Sequence, residues 1–146
     1  MPFTIAISKE RISFSKNRLL QLLTLLFFGY WINTLLGTTD IKNWMLENTL
    51  VILFLGFLIL SYKKFKFSDL SYLLIFIYLC LHVYGSQYTY AENPFGYWLK
   101  DVMSWERNHY DRIVHFSFGF LLAYPMRECF LVWAKFPTWV SCWLPI

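Results

Sequence analysis

The sequence predicts an all-α, polytopic membrane helix bundle with four full spans and an incomplete fifth. Hydrophobic residues make up 58% of the 146 residues and charged residues only 15%. That is too little polar surface for a water-soluble globule of this size. The charges also fall in short clusters that separate long apolar runs. Such runs must be helical, because backbone groups in lipid have to form hydrogen bonds within the chain.

The apolar runs locate the spans, since a transmembrane helix needs about 20 apolar residues. The first run follows a basic segment, and we predict a retained helix rather than a signal peptide. The run is long for a signal core, and no small-x-small cleavage pattern follows it. The second run is uncharged only from Asn48 and is extended back to Trp44 to reach a span's length. The predicted spans are 19–36, 44–62, 70–91 and 112–134, with a partial span at 136–146.

We expect these segments to form a single membrane domain, 1–146, that is truncated relative to its natural unit. The last apolar segment, 136–146, has 11 residues. At 1.5 Å per residue it covers about 16 Å, roughly half the hydrocarbon thickness. The chain is therefore expected to continue beyond Ile146.

Basic residues orient the predicted bundle. Four precede the first span, one lies in the first loop and three lie in the second: Lys9, Arg11, Lys16 and Arg18, then Lys42, then Lys63, Lys64 and Lys66. This alternation places the N-terminus in the cytoplasm. The small net charge of +4 points to the lipid bilayer as a partner and not to nucleic acid.

The charged stretch Glu106 to His115 is the predicted site, on the outer side of the membrane. Asp111 and His115 are four residues apart, so on a helix the carboxylate could orient the imidazole for acid-base chemistry or metal ligation. The structural alternative is that Asn108 caps the helix, Asp111 interacts with the helix dipole and His115 is a satisfied polar residue.

The metal-binding potential of this stretch is limited. Glu106 and His109 have the Glu-x-x-His spacing of dimetal bundles, but only one copy is present. A solvated charge cluster that includes Arg107 and Arg112 is the favoured alternative. A mononuclear site of His109, Asp111 and His115 has no diagnostic spacing. The three cysteines are isolated in apolar context and suggest neither a disulfide nor a metal site, so the sequence assigns no metal or cofactor.

Two residues of the third span extend the predicted site. His82, about midway along the span, is either a functional group in a polar path or a neutral imidazole bonded to a neighbouring helix. Glu92 follows the apolar run and should reach the outer surface, where Pro94 turns the chain. These groups would form a pocket roofed by Trp98 and Trp105, with His82 deeper.

Two strings carry a family resemblance: H-V-Y-G-S-Q-Y-T-Y-A-E-N-P-F-G-Y-W-L-K-D, beginning at His82, and E-R-N-H-Y-D-R-I-V-H-F-S-F-G-F, beginning at Glu106. They resemble the YjdF family of predicted bacterial inner-membrane proteins, a domain of unknown function. The resemblance implies an inner-membrane location and further helices beyond this chain. The family pattern falls on His82, Tyr88, Tyr90, Glu92, Pro94, Trp98, Asp101, Glu106, Arg107, Asn108, His109, Tyr110, Asp111, Arg112, His115, Gly119, Arg127 and Glu128. Asp-Arg-x-x-His-Phe at 111–116 is also similar to the Asp-Lys-x-x-His-Phe signature of VanZ-like membrane proteins.

The predicted function is that of a multi-pass inner-membrane protein with an outward-facing polar site of unknown activity. The sequence does not choose between two sharper hypotheses, so whether the protein is an enzyme stays open. In one, an enzyme binds the phosphate of a lipid or lipid-linked head group through Arg107 and Arg112. His109, or the Asp111 and His115 pair, then serves as acid-base catalyst. In the other, a non-catalytic transport or assembly component uses the cluster to dock a membrane-protein partner.

Overall fold

The computed structural model describes residues 12–132, and within this range the protein contains helices and no β-strand. A 3₁₀ turn, Phe14–Lys16, precedes α1. The α-helices are α1 (Arg18–Leu36), α2 (Ile41–Ser61), α3 (Asp69–Gln87), α4 (Pro94–Val102) and α5 (Tyr110–Val132). The predicted partial span at 136–146 lies outside the described residues.

Helix α3 is the centre of the bundle. It packs against α1, α2 and α5, and nine of its residues are buried, against three each in α1 and α2. Ile75, Leu79 and Val83 follow one another at helical spacing and are almost completely buried. Residues four apart share a helix face, so this stripe forms the core against which the other helices pack.

Three helices, α1, α2 and α3, are long and apolar enough to cross a membrane. Their outer faces carry large apolar side chains that water would disfavour: Leu25 is 72% exposed, Leu46 72% and Leu60 81%. A contiguous apolar surface of this kind indicates contact with lipid. The predicted all-helical membrane protein is therefore confirmed in its coarse form.

The number of spans is not confirmed. Helix α5 has 23 residues, enough for a span, but Asp111 and Arg112 lie in its first turn and Arg127 and Glu128 near its end. These charges leave it less apolar than α1, α2 and α3. The fourth span is therefore a proposal, which is argued below.

The third predicted span is too long by one turn. We expected it to run to Ala91, but α3 ends at Gln87, and Thr89 and Tyr90 have positive φ angles of 53° and 57°. Left-handed backbone cannot continue a right-handed helix. His82 is consequently five residues from the end of α3, about 7.5 Å at 1.5 Å per residue, and not midway along the span.

Helix α4 was not predicted, because residues 92–111 were expected to form a connection between two spans. Its start carries a recognisable signal: the Asn93 side chain accepts a hydrogen bond from the Gly96 amide at 3.1 Å, and Pro94 occupies the first turn. Asparagine at the N-cap followed by proline is a common helix start. Here it begins a short helix between α3 and α5.

A buried polar network joins the first three helices. Asn48 of α2 has 0% exposure. Its Oδ1 accepts from Trp31 Nε1 of α1 at 2.6 Å, and its Nδ2 donates to the Trp44 carbonyl at 2.7 Å and to Ser86 Oγ of α3 at 3.0 Å. Polar groups in an apolar interior must find partners. Because Asn48 satisfies both ends of its amide, it connects α1, α2 and α3 at this level.

At the opposite end of the bundle, Glu128 binds α5 to the start of α3. Its carboxylate accepts from the Ser68 amide and hydroxyl, each at 3.1 Å, and from the Ser71 hydroxyl. Ser68 is the N-cap residue of α3. A carboxylate is favoured at this position because helix N-termini carry partial positive charge.

Candidate functional site

The candidate site lies where α3 ends and α5 begins, and it is built around His82. This imidazole is 8% exposed. Its Nδ1 lies 2.7 Å from the Tyr90 hydroxyl and its Nε2 lies 3.3 Å from the backbone carbonyl oxygen of Glu47 in α2. A carbonyl oxygen only accepts, so Nε2 carries the proton, and in the neutral ring Nδ1 accepts from Tyr90. Both ring nitrogens are thus occupied.

The turn after α3 is shaped to place Tyr90 on His82. Tyr90 and the preceding Thr89 both have left-handed backbone, a conformation that costs a non-glycine residue on the order of 1 kcal/mol. The Tyr90 amide donates to the Gly85 carbonyl at 2.8 Å. The Tyr90 ring lies so close to Gly85 that any Cβ there would overlap with it. Burial raises the pKa of Tyr90, so its hydroxyl stays protonated and acts only through hydrogen bonds.

Tyr110, the first residue of α5, fixes that helix against α3. It is 1% exposed, and its hydroxyl donates to the Leu81 carbonyl at 2.9 Å. One turn before Leu81 in α3, Tyr78 contacts the Phe118 ring of α5, with 5.5 Å between ring centroids. His115 lies between Tyr110 and Phe118, which contact Leu81 and Tyr78 of α3, close before His82 in the sequence. The tertiary structure therefore brings two of the predicted site residues to the same level of the bundle.

Asn108 connects the segments on either side of α4. Its Nδ2 donates to the carbonyls of Ala91 at 2.9 Å and Asn93 at 3.0 Å, and its Oδ1 accepts from the Tyr110 amide at 2.9 Å. We predicted Asn108 as the helix cap. Its side chain does bond to the start of α5, but His109 stands between it and the first helical residue. The His109 carbonyl accepts the first helical bond, from Ile113 at 3.2 Å.

His115 is held by its own helix. Its Nδ1 is 2.7 Å from the backbone carbonyl oxygen of Asp111, so the carbonyl and not the predicted Asp111 carboxylate orients the ring. Since a carbonyl accepts, Nδ1 carries the proton and Nε2 is left with its lone pair. Nε2 has no hydrogen-bond partner among residues 12–132, and the side chain is exposed.

The remaining predicted site residues lie at the surface. Glu106, Arg107 and Arg112 are exposed, and Arg107 Nε donates to Nδ1 of the half-buried His109 at 3.4 Å. Trp105 contacts the His109 ring, with 5.1 Å between centroids. Within the described part of the chain, no group of three or more His, Cys, Asp or Glu residues could hold a metal ion.

Glu92 lies in the turn before α4 and is exposed. It accepts a hydrogen bond from the Tyr97 hydroxyl at 2.8 Å, and this bond raises the pKa of Tyr97. Trp98 is 57% exposed and Trp105 36% exposed. These two rings lie on the surface, and the shared pocket that they were expected to roof stays a prediction.

Reasoning from charge missed three of the residues that organise this end of the bundle: Tyr90, Asn93 and Tyr110. They act through buried hydroxyl and amide groups, which hydropathy treats as neutral. The Asn93-Pro94 pair was one usable signal, since it marks a helix start. The resemblance was another, because Tyr90 and Tyr110 belong to its pattern.

Comparison with known proteins agrees with that resemblance. The chain is 33% identical over 97 residues to the inner membrane protein YjdF of Escherichia coli strain K12, an alignment that covers 66% of this chain and 46% of that protein. The chain thus spans about half the length of this curated relative. No solved structure gives a significant match. The likeness to VanZ-like proteins stays a prediction.

A family model described as "Predicted membrane protein (DUF2238)" matches the chain from residue 18 to residue 146. The matched region includes every helix from α1 to α5 and all the candidate site residues. Helices able to span a membrane are what such a family requires. The protein therefore belongs to the DUF2238 family of predicted membrane proteins.

Proposed function

We propose that this protein is a multi-pass inner-membrane protein that binds the polar head group of a lipid or lipid-linked molecule at the end of the bundle where α3 meets α5. The observation that carries the proposal is the strained turn that holds the Tyr90 hydroxyl on buried His82, where α5, the helix that carries His115, packs on α3. Strained non-glycine backbone is concentrated at functional sites. The strained turn places the Tyr90 hydroxyl 2.7 Å from His82 Nδ1.

The proposal includes α5 as a fourth span. Its middle carries Phe116 and Phe120, each 71% exposed, which suits a lipid-facing surface. Its charges lie at the two ends, where Arg127 can extend its head to the interface and Glu128 bonds to the start of α3. With four spans, the N-terminus and the loop at Lys63 face the cytoplasm. The candidate site then faces outward.

The ligand class follows from the charges at this surface. Arg107 and Arg112 are exposed cations beside His109 and His115. Guanidinium groups bind phosphate through paired hydrogen bonds. A phosphorylated head group would sit above the His82 and Tyr90 pair, with its apolar part in the bilayer beside α5. The site would discriminate between ligands by head group.

A second candidate function, catalysis on that head group, is favoured by the geometry of His115. Its Nδ1 is fixed on a backbone carbonyl and its Nε2 is exposed with an available lone pair. A general base needs such an oriented nitrogen with an available lone pair. In this version His115 takes a proton from a nucleophile and the two arginines hold the phosphate.

Lipid analysis of the purified full chain tests the proposal. We expect mass spectrometry to find a lipid with a phosphorylated head group enriched on the wild type and depleted on Arg112→Gln. Lys42→Gln, which removes another exposed cation in the first turn of α2, is the matched control and should retain the lipid. Equal lipid on both variants would contradict head-group binding at this site. A protein that copurifies in place of the lipid would support the assembly hypothesis instead.

Incubation of the lipid-loaded protein separates binding from catalysis. If the site is catalytic, the wild type converts the bound lipid, while His115→Gln binds it and leaves it unchanged. Loss of a general base costs on the order of 10²- to 10⁴-fold in rate. Unchanged lipid on the wild type would leave binding as the function and exclude turnover of that lipid.

A further inference from the structure

A second binding feature lies at the opposite end of the bundle, within the membrane. A cavity of about 390 Å³ opens between the N-terminal half of α1, the C-terminal half of α2 and the N-terminal half of α3. This size falls in the roughly 300–1,000 Å³ range of small-molecule sites. Its walls are almost wholly apolar, with Leu23, Phe27 and Leu58 among them. Such a cavity does not hold water.

The groove has the depth of one leaflet. Along α1 its lining runs from Leu20 to Phe28, which is about 12 Å at 1.5 Å per residue. Half of the roughly 30 Å hydrocarbon core is about 15 Å. Farther along the bundle, the hydrogen bond from Trp31 to Asn48 joins α1 and α2 and closes the groove. The groove opens toward the other end, where α1 starts and α2 ends, which we call the basic end.

Cations lie close in the sequence to the two residues that line the basic end of the groove. Phe14 and Tyr62 line it there. Lys16 and Arg18 follow Phe14, and Lys63 and Lys64 follow Tyr62, and all four are exposed. The Lys66 ammonium lies 5.6 Å from the centroid of the Tyr62 ring.

Among the described residues, this end of the bundle carries two carboxylates, against the five cations named above. Asp69 accepts from Asn17 Nδ2 at 2.6 Å, and Glu128 accepts from Ser68 and Ser71. Cations therefore predominate at the mouth of the groove.

We propose that this groove binds an anionic phospholipid of the leaflet that faces the N-terminal ends of α1 and α3. One acyl chain occupies the groove. The phosphate at its mouth is held by Lys63 and Lys64 from one side and by Lys16 and Arg18 from the other. The apolar wall requires a hydrocarbon ligand, and the basic rim selects an anionic head group over a zwitterionic one. This site is separate from the one at the α3–α5 end and does not depend on its function.

Native mass spectrometry of the full chain tests the head-group half of the proposal. The probes are phosphatidylglycerol and phosphatidylcholine with identical acyl chains, and inorganic phosphate alone. We expect a bound phosphatidylglycerol and little phosphatidylcholine or phosphate. Removing a lysine at an anionic surface weakens binding about fivefold, so Lys63→Gln with Lys64→Gln should lose more than tenfold. Lys42→Gln with Lys100→Gln, at the other end, should change nothing.

A substitution that fills the groove tests the acyl-chain half of the proposal. Thr24 lines the groove, and Thr24→Trp should expel the lipid, while Leu25→Trp, at the 72% exposed neighbour, should retain it. Equal binding of the two phospholipids, phosphate binding without lipid, or lipid retained on Thr24→Trp would each overturn the proposal. Wild-type protein with no bound lipid would also overturn the proposal, because another part of the chain or a second copy would then occupy the groove. The lysine variants, which keep the core intact, remain informative if Thr24→Trp does not fold.

Discussion

Buried hydrogen bonds decide the behaviour of individual side chains at the α3–α5 end. His82 has a partner on each ring nitrogen, and Tyr90 supplies one of them at the cost of left-handed backbone. An imidazole that loses a partner in this interior has no water to replace it. The loss of stability caused by a substitution at this site should therefore depend on how buried the residue is and not on its formal charge.

Tyr90→Phe removes the hydroxyl that satisfies His82 Nδ1. We expect a loss of about 1–2 kcal/mol in the free energy of unfolding, because one nitrogen of a buried ring is left without a partner. Tyr97→Phe removes a hydroxyl that bonds to exposed Glu92 and should cost less than about 0.5 kcal/mol. Unfolding by SDS titration in mixed micelles measures both. Equal losses in the free energy of unfolding would show that the hydrogen bond to His82 stabilises the protein no more than the exposed one does.

Gly96→Ala tests the close approach of α4 to Asn108. A Cβ at Gly96 would overlap with the Asn108 side-chain amide, so the bonds of Asn108 to Ala91 and Asn93 must give way. Overpacking of this kind costs about 1–3 kcal/mol. Gly29→Ala in α1, where a Cβ meets nothing within 4 Å, should be neutral or stabilising because alanine favours helix. The same SDS titration compares them, and a tolerated Gly96→Ala would refute the contact.

Helix boundaries in this protein are set by backbone conformation and caps, whereas helix packing is set by a few polar bonds. The left-handed Thr89 and Tyr90 end α3, and Asn93 starts α4. Apolar side chains face lipid as readily as they face another helix, so burial alone gives little specificity in a membrane. The Asn48 network supplies specificity for α1, α2 and α3.

Asn48→Leu removes that network. Trp31 Nε1 and Ser86 Oγ each lose the bond that they make to Asn48, and we expect a loss of about 1–2 kcal/mol, the upper range for hydrogen bonds between membrane helices. Thr49→Val changes an exposed neighbour that bonds only to its own helix, and it should have little effect. Thermal unfolding in detergent, followed by size-exclusion chromatography, ranks the two variants. A harmless Asn48→Leu would mean that apolar packing alone joins these helices.

For the molecule as a whole, the number of membrane crossings depends on α5. Among residues 12–132, three helices qualify by length and composition, and α5 is the proposed fourth. Because α3 is central and α5 packs along it, a crossing α5 completes the bundle around α3. Its exposed Phe116 and Phe120 are then covered by lipid.

Reporter fusions test the topology. A reporter after Lys66 should report the cytoplasm, since Lys63, Lys64 and Lys66 resist translocation. A reporter at Lys100 should report the outer side, and a glycosylation or thiol-accessibility probe at Glu106 should agree with it. If Lys66 and Lys100 lie on the same side, α3 does not cross and the four-span proposal is wrong.

Hydropathy and charge were sufficient for the helical membrane class and for α1 and α2 to within a few residues, because lipid imposes a length and a composition on each span. The family resemblance rested on long, unusual strings such as E-R-N-H-Y-D-R and is confirmed. The end of α3 was missed because the run after Gln87 stays uncharged to Ala91. Hydropathy cannot distinguish a helix from a left-handed turn of the same composition.

The candidate site, like the fold, was predicted from the sequence only in part. Local spacing correctly placed His115 one turn after Asp111, since helical neighbours follow from the sequence alone. Only the tertiary structure could show that His82 is bonded to Tyr90 and Glu47, because one bond joins α3 to α2 and the other depends on the left-handed turn after α3. The bilayer acts on each segment separately, so the spans can be predicted from the length and hydropathy of each segment. Hydrogen bonds between segments depend on how the helices pack around α3, which only the tertiary structure shows.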